Sequence, residues 1–270
     1  MNGLEHANPA VIVLLAIALW LFYREFKRIT RGYHHSIRRI PGVDAIEGAV
    51  GRCAEQGRAV SFTTALTDVG PVLYACIGVL NSVAKKVAQY KLKLLVPQYS
   101  PEAMAVVEDS VREAYSEVGR SSLFDPDSIM FLSSEQFAFA SGYMGLMHRE
   151  KPGAAFLFGS FAAESLVLSE AGQQVGARQV AASVSPEQVA FFICTCDYTL
   201  IGEELFGASA YLGRDPVQVA TVAAQDRFKL LLVIIITVGV LAATAASFTP
   251  SLSWLRPLDV LSVGWEALVP

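Results

Sequence analysis

Two apolar stretches lie near opposite ends of the chain, and each carries positive charge on its inward side. The first is Ala10 to Tyr23 (AVIVLLAIALWLFY), followed by Arg24, Lys27, Arg28, Arg31, Arg38 and Arg39. The second is Leu230 to Phe248 (LLLVIIITVGVLAATAASF), preceded by Arg227 and Lys229. Cytoplasmic flanks of membrane spans carry the Lys and Arg excess. The pattern predicts two transmembrane helices, 10–23 and 230–248, in the cytoplasmic membrane, with the central globule facing the cytoplasm. Nineteen residues at a 1.5 Å rise give about 28 Å, close to the hydrocarbon thickness. Fourteen residues are short for a span, although Trp20, Phe22, Tyr23 and Phe26 supply an interfacial belt. A cleaved signal peptide is the rival reading. It asks for leading basic residues and a small-residue cleavage site, whereas MNGLEHANP holds no Lys or Arg and the run ends in aromatics. Residues 1–9 and 249–270 are then extracytoplasmic.

Between the stretches, residues 24–41 form a basic segment suited to an anionic lipid surface, and Ile40-Pro41-Gly42 breaks it. Helix and strand patterns then alternate. Val43–Gln56 reads as a helix, Ala59–Thr63 as a strand, and a helix capped by Thr67 or Asp68 runs to Tyr90. Leu92–Val96 is a strand. Ser100-Pro101-Glu102 is a helix-start pattern: N-cap, proline at N1, acid in the first turn. Ile129–Leu132 is a strand, Ser133–His148 a helix, Ala154–Phe158 a strand and Phe161–Val175 a helix. Gln179–Val184 and Val189–Cys194 read as strands on either side of a Pro186 break. Asp197 caps a helix from Tyr198 to Leu212. Continuous apolar strands alternating with helices predict a doubly wound α/β domain over 42–213, with a mostly parallel sheet of five or six strands. The break at 185–187 leaves open an antiparallel hairpin at one edge. Residues 214–229 read as a linker helix running into the second apolar stretch.

Composition excludes several functions. A net charge of −4 argues against a general nucleic-acid binder. No G-x-G-x-x-G follows a strand, no phosphate-binding P-loop occurs, and His148 is the one histidine inside 42–213, so no Ser-His-Asp set forms. Cys53, Cys76, Cys194 and Cys196 make no C-x-x-C pair and, with cytoplasmic placement, are expected as free thiols; Cys194 and Cys196, flanking Thr195, read as two small buried hydrophobes. No metal site and no cofactor is expected.

Open α/β sheets bind ligands outside the carboxyl ends of their strands. The polar residues expected there are Thr63, Thr64, Asp68, Ser100, Ser133, Ser160 and Tyr198, together a candidate crevice for a small polar ligand. Capping of the following helices is the simpler account of the same residues. Glu164 and Asp197, each beside an apolar run, are the acid–base candidates. The leading expectation is a membrane-anchored domain that binds a partner protein or a small polar ligand. The alternatives are an enzyme acting on a small anionic substrate at the crevice, and a structural subunit of a membrane complex. Small residues on the helices (Ala162, Ala163, Ala208, Ser209, Ala210) permit homo-oligomers.

The block from Ser133 to Gly213, with RIPGVDAIEGAVGRCAEQGR, TALTDVGPVLYA and LVPQYSPE before it, resembles a family of uncharacterised prokaryotic membrane proteins, a domain of unknown function. The resemblance covers most of the chain. It implies a two-span anchor with a cytoplasmic domain, and it transfers no activity and no catalytic residues.

Overall fold

A computed structural model describes residues 9–31, 41–213 and 216–248, without the side chains of 9–11, 13, 242, 243 and 245–248. The basic positions Arg38 and Arg39 and both chain ends lie outside the described residues. In chain order the elements are α1 (Pro9–Thr30), α2 (Pro41–Gln56), β1 (Val60–Ala65), α3 (Pro71–Tyr90), β2 (Leu94–Gln98), α4 (Pro101–Glu117), β3 (Ile129–Phe131), α5 (Gln136–Glu150), β4 (Ala154–Ser160), α6 (Ser165–Gln174), β5 (Arg178–Ser183), α7 (Pro186–Thr195), β6 (Tyr198–Ile201), α8 (Glu204–Gly213) and α9 (Pro216–Phe248). Two 3₁₀ turns, Ser121–Leu123 and Pro126–Ser128, precede β3.

The six strands form one sheet in the order β3-β2-β1-β4-β5-β6, and every pairing is parallel. No antiparallel hairpin forms among the described residues. The strand order reverses between β1 and β4, where a doubly wound sheet opens its crevice. Every residue of β1 and β2 is buried, because both faces are covered. On one face Val60, Phe62, Leu94, Val96, Phe156 and Phe158 pack with α2, α3, α4 and α8. On the other, Ala155, Leu157 and Ala181 pack with α5, α6 and α7.

Local sequence explains most boundaries. Ser100 caps α4, its Oγ accepting the Ala103 N–H at 3.3 Å. Gly57 and Gly176 take positive φ where α2 and α6 end. Two expectations fail together. Val189–Cys194 is not a strand but the body of α7, and Tyr198–Ile201 is not helix but β6. Ser185-Pro186-Glu187 starts α7 with the same signature that starts α4. Only one side of α7 is covered: Phe192 is buried, whereas Phe191 and Ile193 are exposed.

Two compact units divide the chain, Ser36–Val219 and Met1–His35 with Ala220–Pro270. In the second unit Glu25 is 1% exposed. Its carboxylate takes the guanidiniums of Arg227, of Arg24 at 3.1 Å and of Arg28 at 3.8 Å. A buried charge needs such partners.

Among the described residues no helix is long and apolar enough to cross a membrane. This overturns the two flanking transmembrane helices expected from the sequence. Both stretches are helical, but α1 holds Arg24, Glu25, Lys27 and Arg28 in its later turns, and α9 holds Asp226, Arg227 and Lys229.

Candidate functional site

The carboxyl edge of the sheet is where the fold directs attention first. At its switch point the polar groups bind one another. Thr63 Oγ1 donates to the Pro97 carbonyl at 3.0 Å, and Thr64 Oγ1 donates to Gln98 Oε1 at 2.7 Å. Thr67 Oγ1 donates to the Thr64 carbonyl and accepts the Ser160 N–H at 2.8 Å. This clasp joins the end of β1 to the end of β4. Gly159 passes through it at φ 142°, where a Cβ would strike Thr67 Oγ1 and the Thr64 carbonyl, so only glycine fits. Glu164 is fully buried and accepts the Ala162 N–H at 2.9 Å and Gln136 Nε2 at 2.5 Å. Ser100 Oγ donates to Glu102 at 2.8 Å, which holds that carboxyl below its ordinary range. Ser133 Oγ accepts the Glu135 N–H at 3.0 Å. Of the buried side-chain atoms at this edge, Gln98 Nε2 is left without a partner.

Charge at this edge follows a rule. Each strand-to-helix junction carries an acid: Asp68, Glu102, Glu135, Glu164, Glu187 and Glu204. None of these junctions carries a Lys or Arg. Helix N-termini gather here, each equivalent to about half a positive charge, and one carboxylate apiece offsets them. An incoming anion meets acids and no cationic side chain.

The amino edge is built the other way. The helix-to-strand returns carry Arg58, Lys91, Lys93, Arg120 and Lys151, and Arg178 opens β5. A cleft of about 560 Å³ opens here, lined by the end of α2, the α6–β5 turn and the α7–β6 turn. Arg52, Gln173, Arg178, Cys194 and Asp197 are among its walls. Asp197 Oδ1 accepts Arg178 Nη1 at 2.5 Å, and Oδ2 accepts the Gln179 N–H at 2.8 Å. The Arg178 guanidinium also sits 6.0 Å from the Tyr198 ring centroid. Arg178 is thereby oriented from two sides. Gln179 donates Nε2 to the Ser169 carbonyl at 2.8 Å, and its Oε1 is buried without a partner. Gly172 leaves the room that this oxygen occupies.

Over residues 3–253 the chain matches the model of a domain of unknown function, DUF6754. The chain belongs to that family. No curated protein and no solved structure matches it. Membership in DUF6754 assigns no residue a role, so the site rests on geometry alone.

The fold splits the residues singled out from sequence. Thr63, Thr64, Ser100, Ser133 and Ser160 do reach the carboxyl edge of this DUF6754 domain, joined by the exposed Asp68 in the β1–α3 loop. The hydroxyls of Thr63, Thr64, Ser100 and Ser133 close loops and cap a helix, and Ser160 takes part through its N–H. Tyr198 and Asp197 lie at the amino edge, because Val189–Cys194 turned out helical and shifted the last strand. Glu164 and Asp197 therefore stand at opposite ends of the sheet. Six residues of β5 separate the edges by roughly 20 Å. No one substrate meets both carboxylates, and the acid–base pair is corrected on that ground. Sequence reasoning missed Arg52 and Arg178, which are brought together only by the sheet.

The thiols divide in reactivity. Burial pushes the Cys196 thiol up to about 12 and the Cys53 thiol up to about 11, the latter eased by Arg58 and Arg52. Cys76, deep under α3, is raised further by burial. Cys194 is the exposed one, on the wall of the cleft. Among the described residues no group of three His, Cys, Asp or Glu side chains could hold a metal ion.

Proposed function

We propose that the sheet unit is a ligand-binding domain that holds a small polar molecule in the amino-edge cleft. The cleft itself carries this reading: about 560 Å³, within the usual range for ligand sites, with Arg52, Gln173, Arg178 and Asp197 among its walls. The four free cysteines support a reducing compartment. Cys194 supplies the test. Iodoacetamide labelling of the full chain, followed by mass spectrometry, modifies Cys194 first, and a bound ligand slows that labelling. A panel of polar metabolites in which no compound slows it or raises the melting temperature would sink the reading.

A second reading concerns the other unit, and one observation favours it. Trp20 and Tyr23 are exposed and lie under Arg24 at 4.9 Å and Lys27 at 5.8 Å, beside the exposed aliphatic side chains Ile12, Leu15 and Leu19. Aromatic and cationic pairs bordering an apolar strip suit attachment to an anionic lipid surface. Co-flotation of the full chain with phosphatidylglycerol vesicles is the expected result. Recovery of all the protein in the unbound fraction at low salt would discard it.

A further inference from the structure

We infer that the ligand of the amino-edge cleft carries an oxyanion, a carboxylate or phosphate group, and that Arg52 and Arg178 grip it. This rests on the cleft being a ligand site and goes on to name the ligand's chemistry.

The local charges decide the sign. Helix C-termini converge at this edge, each equivalent to about half a negative charge, and they oppose an anion. Arg58 already answers two of them. Its guanidinium donates to the carbonyls of Lys151 at 2.9 Å and Pro152 at 3.0 Å behind α5, and of Val175 at 2.9 Å behind α6. Asp197 is answered as well, with one oxygen on Arg178 and the other on a backbone N–H. The charge of Asp197 is thus offset by Arg178, and the helix ends behind Arg58 by its guanidinium. Arg52, exposed in the later part of α2, has no hydrogen-bond or ion-pair partner among the described residues. One full positive charge is left over.

The donors are also arranged for an anion. Arg178 spends Nη1 on Asp197, leaving the rest of its planar fork for a ligand. A guanidinium has five N–H donors and pairs with carboxylate or phosphate oxygens two at a time. The pairing with Asp197 and the stacking on Tyr198 fix its plane before any ligand arrives, which lowers the entropy cost of the grip. Gln173 is tied by Nε2 to the Thr195 carbonyl at 2.8 Å and stiffens the opposite wall.

The experiment uses the full chain with inorganic phosphate and malonate as probes and glycerol as the neutral control. Titration calorimetry gives the dissociation constant, and Cys194 labelling gives occupancy of the cleft. Phosphate or malonate should bind and protect Cys194. Arg52→Gln and Arg178→Gln should each weaken binding roughly tenfold or more, and Arg178→Lys should recover only part of the loss. Arg52 is exposed and Arg178 is half-exposed in an ion pair at the surface, a kind of pair that contributes little to stability, so the melting temperature of each variant should stay near the parent's, which separates lost binding from lost folding. Protection of Cys194 by glycerol but by neither anion would overturn the inference and leave the cleft a site for neutral ligands. Anion binding unchanged in both arginine variants would overturn it too. A cleft that nothing protects would remove the underlying reading itself.

Discussion

At the carboxyl edge of the sheet the chain spends its hydroxyls on itself and leaves one buried donor, Gln98 Nε2, unpaired, whereas at the amino edge it leaves unpaired one buried acceptor, Gln179 Oε1, and the whole guanidinium of Arg52. Both edges obey the same electrostatics. Helix N-termini collect at one and C-termini at the other, and the sequence answers with acids and bases respectively. The difference lies in what remains after that compensation. At the switch point Thr64, Thr67, Ser160 and Gln98 close a network around Gly159. In the cleft Arg178 and Asp197 are paired and Arg52 is not. The rule that α/β sheets bind at their carboxyl ends assumes donors left free there. In this chain an acid stands at every such junction, and at the switch point the threonines bind within the protein.

The largest expected effects test whether the carboxyl edge is as closed as described. Gly159→Ala places a methyl against Thr67 and the Thr64 carbonyl at a φ that alanine rarely adopts. It should cost about 2–4 kcal/mol in urea unfolding. Thr67→Val keeps the shape but removes the acceptor of the Ser160 N–H, for about 1–3 kcal/mol. Neither substitution should alter anion binding at the opposite edge. A Gly159→Ala chain as stable as the parent would mean that the clasp is loose and the carboxyl edge is open to ligands after all.

The sheet itself was legible in the sequence because buried parallel strands announce themselves as apolar runs between helix starts. AVSFT, LLV and AAFLF could be little else. The error at 189–194 had a visible remedy: Ser185-Pro186-Glu187 repeats Ser100-Pro101-Glu102, and both open helices. The run VAFFIC outweighed that signal because a short apolar segment has no period of its own. Helix α7 lies over the β5–β6 end of the sheet with one side uncovered, so its apolar residues exceed what burial asks for. The site was less legible than the fold. Misplacing one strand moved Asp197 and Tyr198 to the wrong edge on paper. Arg52 and Arg178 stand on different elements, each at a helix-to-strand return where a basic residue is ordinary, and nothing local marks them as a pair. The membrane reading failed for another reason: apolar length was counted along the sequence, and among the described residues no helix is long and apolar enough to cross a membrane.

A smaller effect, of the order of one proton's free energy, concerns the three thiols that burial perturbs. The folded chain raises Cys53 to about 11 and Cys196 to about 12 from an ordinary 9.0, and raises Cys76 as well. A raised value means the folded state holds the proton more tightly than the unfolded state. The stability so gained is complete below pH 9.0 and is lost as pH climbs through the folded values. The melting temperature should therefore hold steady to about pH 9 and fall above it. For the fully buried Cys76 the loss is at most about 1.4 kcal/mol per pH unit. Cys76→Ala should make the fall shallower; a fall of unchanged steepness in that variant would show that this buried thiol is not among the groups that titrate.

The smallest effect bears most directly on why the two edges differ. Asp68 is the acid of the β1–α3 junction, and α3 starts at Gly70 with no side-chain cap. Asp68→Asn removes a negative charge from beside the positive end of a 20-residue helix. The melting temperature should drop by about 1 °C at low salt and by less at 0.5 M salt, where exposed charges are screened within a few ångströms. The informative arm adds phosphate. The remaining junction acids still face any anion at that edge, and Thr64 and Thr67 stay committed to their partners, so phosphate should not raise the variant's melting temperature beyond its effect on the parent. A phosphate-dependent rise confined to Asp68→Asn would show that a single carboxylate silences the switch point. The contrast between the edges would then be a matter of one charge and not of a closed network.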